Sequence, residues 1–404
     1  MHQSLEREMG IGGAIVTGLG SILGTGAFVA IGVASGMWGD AVLLAIPIAG
    51  LVAVFNGLSS AYLAGRFPVA GGTYEYGYQA LGPWWGFSAG WLFLLAKTAS
   101  AATAALGVAL YLGIPGDRRI VAIVAVTAVT LLVLAGLKRT TVVNTVLVIL
   151  TVGALITFAL AGIAQLGSLP SRVLFWRGGG LTTSGLLPAI AFIFLAYTGY
   201  GRIATMGEEV HRPARTIPRA VIVTLVVATT LYALVEIGGR AIAGSSWGLR
   251  VGRGTTPADL VAQPFSTVVT IGAVTAMLGV LVNLVLGLSR VWLAMGRRLD
   301  MPEPLARLDR RSVPVVAIIT AAVPIAVIAL IGDISLAWTF SAFTVLLYYG
   351  ITNLAALRLD RGRWTAWVGL LSCLFLSFFV PVGVWMTGTG LIAVGLIWKT
   401  QRRF

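Results

Sequence analysis

The sequence predicts an all-α integral membrane protein of twelve spans. Three observations carry that prediction. Hydrophobic residues make up 58% of the 404 residues and charged residues only 10%, against about 25% charged in an ordinary soluble domain. The apolar residues fall into evenly spaced runs, many near the roughly 20 residues that a helix needs to cross a hydrocarbon core of about 30 Å. The Lys and Arg residues between those runs are abundant in alternate connections. No linker or low-complexity segment divides the chain, so residues 1–404 read as one transmembrane domain.

Taken in order, the runs cover 11–36, 40–65, 82–112, 120–136, 142–166, 185–206, 217–243, 265–296, 313–331, 334–357, 364–380 and 382–398. The first and sixth are interrupted by glycines. The third carries a central lysine. The last two are short and are parted by Pro381. With the N-terminus in the cytoplasm, 20 of the 28 Lys and Arg residues fall inside and 7 outside, and Lys97 lies within the membrane. That bias puts both termini in the cytoplasm and favours an even number of spans. It also accounts for the net charge of +14, so no nucleic-acid partner is expected; the bilayer is the partner. The single cysteine, Cys373, forms no internal disulfide. No cleavable signal peptide is read in "MHQSLEREMG".

The stretch "GSILGTG" at 20–26 places three glycines and two hydroxyls in the middle of the first span. Each glycine weakens a helix by about 1 kcal/mol relative to alanine. A break within lipid is tolerable only where protein or a ligand satisfies the freed backbone groups. Bare N–H groups at the start of a half-helix suit a carboxylate, and bare carbonyls suit an ammonium or a cation. An amino acid carries both. Gly20 and Gly24 also form a GxxxG pair, so helix packing explains this stretch alone equally well.

The sixth span adds a second case. In "FIFLAYTGYG", residues 192–201, Gly199 and Gly201 interrupt the helix beside Tyr197, Thr198 and Tyr200. The two interruptions are five spans apart. A five-helix repeat has an odd number of spans, so its second copy enters the membrane inverted. Paired interruptions in inverted halves point to a midplane binding site in a secondary transporter. The halves read as 11–166 and 185–357, with 364–398 supplying two peripheral helices.

These stretches resemble the amino acid–polyamine–organocation transporters, in the amino acid permease group. The resemblance rests on "GSILGTGAFV" at 20–29, "PVAGGTYEYGYQALGPWWGFSAGW" at 68–91, "FLAYTGYGRIATMGEEVHRPARTIPRA" at 194–220, "SRVWLAMGRRLDMP" at 289–302 and "YYGITNLAALRL" at 348–359. It implies the leucine-transporter-type five-plus-five inverted repeat, with broken helices 1 and 6, and alternating access. It implies a substrate site formed by Ser21, Ile22, Gly24, Thr25 and Gly26, which hold the carboxylate, and by Ala196, Tyr197, Thr198 and Gly199, which receive the amino group. Tyr200 and Phe194 would be gates. Two positions depart from the pattern. Arg212 stands where the family has asparagine, and Thr151 matches the position of a lysine that many relatives carry on the fifth helix.

Lys97 lies near the centre of the third span, where insertion of a lysine costs about 2.5–3.5 kcal/mol. Such residues face the bundle interior and mark function. Lys97 is therefore a candidate coupling residue, either exchanging a proton or standing in for a bound cation. The alternative is a structural lysine bonded to unwound carbonyls of the first helix or to a carboxylate. Glu209 is a second coupling candidate. In the resembling fold the shared sodium site uses hydroxyls on the eighth helix. "MLGVLVNLVLGL" at 277–288 has Asn283 and no Ser or Thr, which favours proton coupling or exchange over sodium. Glu236 and Arg240, four residues apart, read as an interfacial ion pair. Glu75 reads as an inner clamp with nearby arginines.

No metal set, nucleophile–base pair or phosphate loop is present in the sequence, so neither an enzyme nor a cofactor is expected. The expected function is amino acid transport, with small neutral substrates favoured. The alternatives are a sodium-coupled, polyamine or cationic amino acid carrier, and a sensor that keeps the transporter fold without transport. Nothing sets the oligomeric state.

Overall fold

Helices occupy all twelve apolar runs in the computed structural model, which describes residues 9–67, 72–136, 141–165, 183–205 and 210–401. In chain order they are α1 (Ile11–Ile22), α2 (Ile31–Trp38), α3 (Ala41–Arg66), α4 (Thr73–Leu81), α5 (Pro83–Leu112), α6 (Arg118–Leu134), α7 (Thr141–Ile163) and α8 (Thr183–Tyr197). There follow α9 (Gly201–Ala204), α10 (Pro213–Ala243), α11 (Trp247–Gly252), α12 (Phe265–Arg297), α13 (Val315–Ile331), α14 (Ile334–Leu359), α15 (Trp364–Ser377) and α16 (Val382–Gln401). Among the described residues no strand forms, and Met9 and Val210 make an isolated bridge.

Local chemistry sets the helix ends. Pro83 starts α5 behind Gly82, whose φ of +102° no L side chain adopts comfortably. The carboxylates of Asp117 and Asp333 cap α6 and α14 by accepting from the amides of Arg119 and Leu336. Pro381 separates α15 from α16, as the sequence predicts.

By length and composition, eight described helices can cross a membrane, or nine if α1 and α2 form one bent span. The other three runs form α6, α13 and α15, of 17, 17 and 14 residues. At 1.5 Å per residue these reach only about 21–26 Å, short of a core of about 30 Å. The described helices therefore establish a multi-pass all-helical membrane protein more coarsely than the twelve-span expectation.

The helices pair in a regular scheme. α5 packs on both α12 and α14, α7 on α10 and α12, α3 on α8 and α10, and α6 on α5 and α13. α1 packs on α10, and α13 on α12. Small residues permit the closest approaches. A Cβ added at Gly162 would lie 2.3 Å from the Gly238 Cα, and one at Gly272 would lie 2.2 Å from the Ala154 Cβ. Such contacts replace the hydrophobic driving force that lipid removes. The core of α5 is alanine-rich, and residues 101–111 are all buried.

Candidate substrate site

The first interruption is a true break. α1 stops at Ile22 and the chain bends by 46° before it resumes. The Leu23 amide still reaches the Leu19 carbonyl at 2.8 Å, and the amides of Ala27 and Phe28 both reach the Gly24 carbonyl, at 3.1 and 3.2 Å. Between them the amides of Gly24 and Thr25 donate no main-chain bond. The helix restarts as a π turn over Gly26–Ala30, a feature common at functional sites. Thr25 is buried and its hydroxyl has no partner. Leaving such a group unsatisfied costs about 1–3 kcal/mol.

The second interruption is milder than the sequence predicts. Gly185–Ala204 passes as one continuous span, and the expected break at helix 6 is instead a 3-10 turn over Thr198–Tyr200. Side chains explain why a bend is unnecessary. The Thr198 hydroxyl donates to the Leu195 carbonyl at 2.9 Å. The Tyr349 hydroxyl donates to the Thr198 carbonyl at 3.1 Å. The carbonyls that tightening releases are thus satisfied in place.

The two interruptions meet backbone to backbone. A Cβ on Gly199 would lie 2.3 Å from the Ser21 carbonyl oxygen and 2.6 Å from the Ile22 nitrogen. A Cβ on Gly26 would lie 2.7 Å from that of Ala196. The Tyr232 hydroxyl of α10 sits between them, 3.1 Å from the Ile22 carbonyl and 2.9 Å from the Ala196 carbonyl. Its single proton serves one carbonyl fully or both partially. Gly20 and Gly24 do not share a packing partner: Gly20 faces Asn144 and Val148 of α7, and Gly24 faces Val280 of α12.

The remaining predicted residues lie around this contact. Ser21 donates its hydroxyl back to the Thr17 carbonyl at 2.9 Å. Tyr197 is fully buried; its hydroxyl donates to the Ile46 carbonyl at 3.0 Å and its ring lies 5.1 Å from that of Tyr232. Phe194 and Tyr200 flank the Tyr349 ring at centroid distances of 6.0 and 5.1 Å. The Lys97 ammonium donates to the Thr198 hydroxyl at 3.2 Å, so it faces the sixth span rather than the first. No carboxylate pairs with it among the described residues. Glu209 lies outside the described residues.

No amino-acid-sized space separates the two interruptions, because their main chains touch. A crevice of about 20 Å³ is lined by Ser60, Thr73, Tyr76, Gly201, Tyr348 and Tyr349, room for a single water. It reaches Tyr349 from the end of the bundle that holds α4.

Sequence reasoning missed Tyr232, Tyr349, Tyr111 and Trp338. Tyr111 donates to the Phe28 carbonyl at 2.9 Å, and the Trp338 indole to the Phe192 carbonyl at 2.8 Å. All four lie in apolar runs. A tyrosine or tryptophan there needs a polar partner, and that need was the available signal.

Residues 13–401 match the amino acid permease family. The chain belongs to that family. It is also similar to an uncharacterized transporter of Mycobacterium tuberculosis, at 39% identity over 415 residues, covering 99% of this chain and 92% of the relative. A branched-chain amino acid permease of Bacillus subtilis is 28% identical, covering 78% of this chain and 73% of its own. A mitochondrial cationic amino acid transporter of Arabidopsis thaliana is 29% identical, covering 83% and 59%.

Against the pattern of the permease family, Arg212 takes a left-handed φ of +47° immediately before α10, and its carbonyl accepts from the amides of Arg215 and Thr216. Asparagine tolerates that conformation better than arginine. Thr151 is buried and back-bonded to the Leu147 carbonyl at 2.7 Å. The Glu236–Arg240 pair forms, at 2.6 Å, but as part of a larger knot. The fully buried Glu236 carboxylate also accepts from the Ser35 hydroxyl at 2.8 Å and the Trp247 indole at 3.0 Å. Arg240 continues to the Asp40 carboxylate and to the Gly39 carbonyl. This knot ties α2, α10 and α11 together at the bundle end opposite α4. There Gly36 and Gly248 pack main chain to main chain. At the other end Glu75 pairs with Arg298 at 2.5 Å.

Proposed function

We propose that this chain is a secondary active carrier of amino acids in the cytoplasmic membrane, working by alternating access with both termini in the cytoplasm. The observation that carries this reading is the contact between two interrupted spans that leaves the Gly24 and Thr25 amides and the Thr25 hydroxyl unpaired. Those donors suit a substrate carboxylate, with Ser21, Ile22 and Gly26 completing its cradle. The main chain from Ala196 to Gly199 offers its oxygens to the ammonium. Substrate entry then requires the two segments to part, and the Tyr232 hydroxyl is the contact that must be exchanged.

Helix pairing supports a five-plus-five inverted repeat over 11–166 and 185–357. Exchanging each span with the one five later maps the α5–α14 contact onto α12–α7, α3–α8 onto α10–α1, and α5–α6 onto α12–α13. The pairs α5–α12, α3–α10 and α6–α13 map onto themselves. All of these pairs are in contact. On this reading α6, α13 and α15 are thin spans, which brings the total to twelve, and 364–398 is peripheral. The knot around Glu236 closes the external side, and the crevice below Tyr349 marks the cytoplasmic approach.

Small neutral amino acids are the favoured substrates. Among the described residues no carboxylate stands ready for a cationic side chain, whereas Lys97 adds positive charge beside Thr198. The name of the Bacillus relative, a branched-chain permease, agrees. α12 turns Val280 toward Gly24, which favours proton coupling or exchange over a sodium site there. Lys97 is the coupling residue on this account; Glu209 is a second candidate. In proteoliposomes, wild-type uptake of the transported amino acid is expected to vary with pH, and Lys97→Met to flatten that profile as well as slow uptake. An unchanged rate and profile in Lys97→Met would remove Lys97 from the mechanism.

A further inference from the structure

A second cavity, of about 430 Å³, lies between α5, α12, α13 and α16, and no residue of the interrupted spans lines it. Its size falls within the range of about 300–1,000 Å³ typical of ligand pockets. Trp91, Trp292, Trp398, Met301, Leu305 and Val394 form most of its wall. Two of the indoles are fixed from behind: Trp91 donates to the Leu391 carbonyl at 2.9 Å, and Trp398 to the Asp300 carbonyl at 3.0 Å. Their N–H groups are thereby engaged with main chain.

A buried polar cluster around Asp300 adjoins this wall. The Asp300 carboxylate, itself buried, accepts from Tyr74 at 2.8 Å and from Tyr78, and pairs with Lys399. Burial and the Asp300 charge push both phenols well above the usual tyrosine range. They remain neutral donors that anchor α4 to the connection after α12, while Lys399 anchors α16 to it. Gly395 lets α16 lie directly against the Trp91 ring, 2.4 Å from a would-be Cβ.

The pocket opens sideways onto an apolar flank. Val316, Val394, Ile319 and Ile397 are all exposed there, with Val394 at 57%. The connection that closes one end of the pocket carries exposed Arg307, Arg310 and Arg311 within six residues of the lining position Leu305. Its acidic residues are engaged: Glu303 faces Arg307 at 3.7 Å, and the Asp309 carboxylate accepts the Arg311 and Val313 amides at 2.8 and 2.7 Å. Arg310 and Arg311 make no ion pair among the described residues. An apolar, indole-walled slot that faces lipid, with unpaired cations at one end, complements an amphiphile with an acyl chain and an anionic head.

We infer that this cavity binds one anionic phospholipid, with an acyl chain between the three indoles and its phosphate against Arg310 and Arg311. The lipid fills the space enclosed by α5, α12, α13 and α16 and braces α5 about two turns from Lys97. The site is independent of the transport reading.

The test uses the purified full chain and two probes, dioleoyl phosphatidylglycerol and dioleoyl phosphatidylcholine. Native mass spectrometry should retain one phosphatidylglycerol in preference to phosphatidylcholine, and phosphatidylglycerol should raise the melting temperature. The double variant Arg310→Gln/Arg311→Gln should lose at least about tenfold in phosphatidylglycerol retention. Val394→Trp, which fills the slot from its exposed side, should abolish the thermal response to the lipid. Both changes lie at the surface, and melting without lipid checks that each variant folds. Equal retention of the two lipids by the wild type, or an undiminished response in both variants, would overturn the site and leave ordinary annular lipid.

Discussion

Replacing Gly199 by alanine is expected to reduce uptake by about 100-fold while the protein still inserts and folds. The added methyl would sit 2.3 Å from the Ser21 carbonyl oxygen, 2.4 Å from its carbon and 2.6 Å from the Ile22 nitrogen. These are main-chain atoms and have no rotamer to escape into. Overpacking of this kind costs about 1–3 kcal/mol, and more where backbone is involved. The strain falls between the two segments that form the proposed site, so function suffers before global stability does. Gly153→Ala is the matched control. Nothing lies within 4 Å of a Cβ at that position on α7, and uptake should stay near the wild-type rate. The check is initial uptake in proteoliposomes beside the melting temperature of each variant. Normal uptake by Gly199→Ala would mean that the interruptions do not approach each other during transport.

Replacing Glu236 by alanine is expected to cost about 3–5 kcal/mol, the largest stability loss predicted for this chain. Glu236 is fully buried and accepts three hydrogen bonds, from Ser35, Arg240 and Trp247. Removing it strands a mostly buried guanidinium and an indole N–H. Asp40 is half exposed and compensates Arg240 only in part. Glu236→Gln keeps one acceptor oxygen but turns an amide toward a donor, so its loss should be smaller. Removing both partners, in Glu236→Leu/Arg240→Met, should destabilise less than Glu236→Ala alone, because no charge is left unpaired. Thermal melting of the three variants in detergent checks the order. A double variant less stable than Glu236→Ala would show that the pair stabilises by more than mutual neutralisation.

Much of the fold was legible in the sequence because lipid imposes simple rules on length and charge. Apolar runs located the long helices, though not the short α4 and α11, and Pro381 separated the last two. The rules weaken where packing substitutes for length, as in α6, α13 and α15. The first interruption was legible because glycines and hydroxyls cluster at mid-span. The second was overstated. Gly199 and Gly201 announce a special backbone, but its form depends on Tyr349, which is far away in the chain. The pairing of Glu236 with Arg240 followed from their spacing, whereas Ser35, Asp40 and Trp247 came from three other segments. Lys97 had no local signal for its partner, since Thr198 lies on another span. Contacts between distant segments are where a single sequence is silent.

Counterflow in proteoliposomes with chemically edited substrates tests the central claim most directly. Vesicles containing the protein are loaded in turn with each free amino acid, its amide and its N-acetyl form, and influx of the labelled parent is followed. If unpaired amides hold a carboxylate and the main-chain oxygens of 196–199, released by Tyr232 and Tyr349, hold an ammonium, only the unmodified zwitterion drives exchange. Exchange driven equally by the amide and the N-acetyl form would contradict that arrangement. Ligand binding without any counterflow would leave the chain a sensor rather than a carrier.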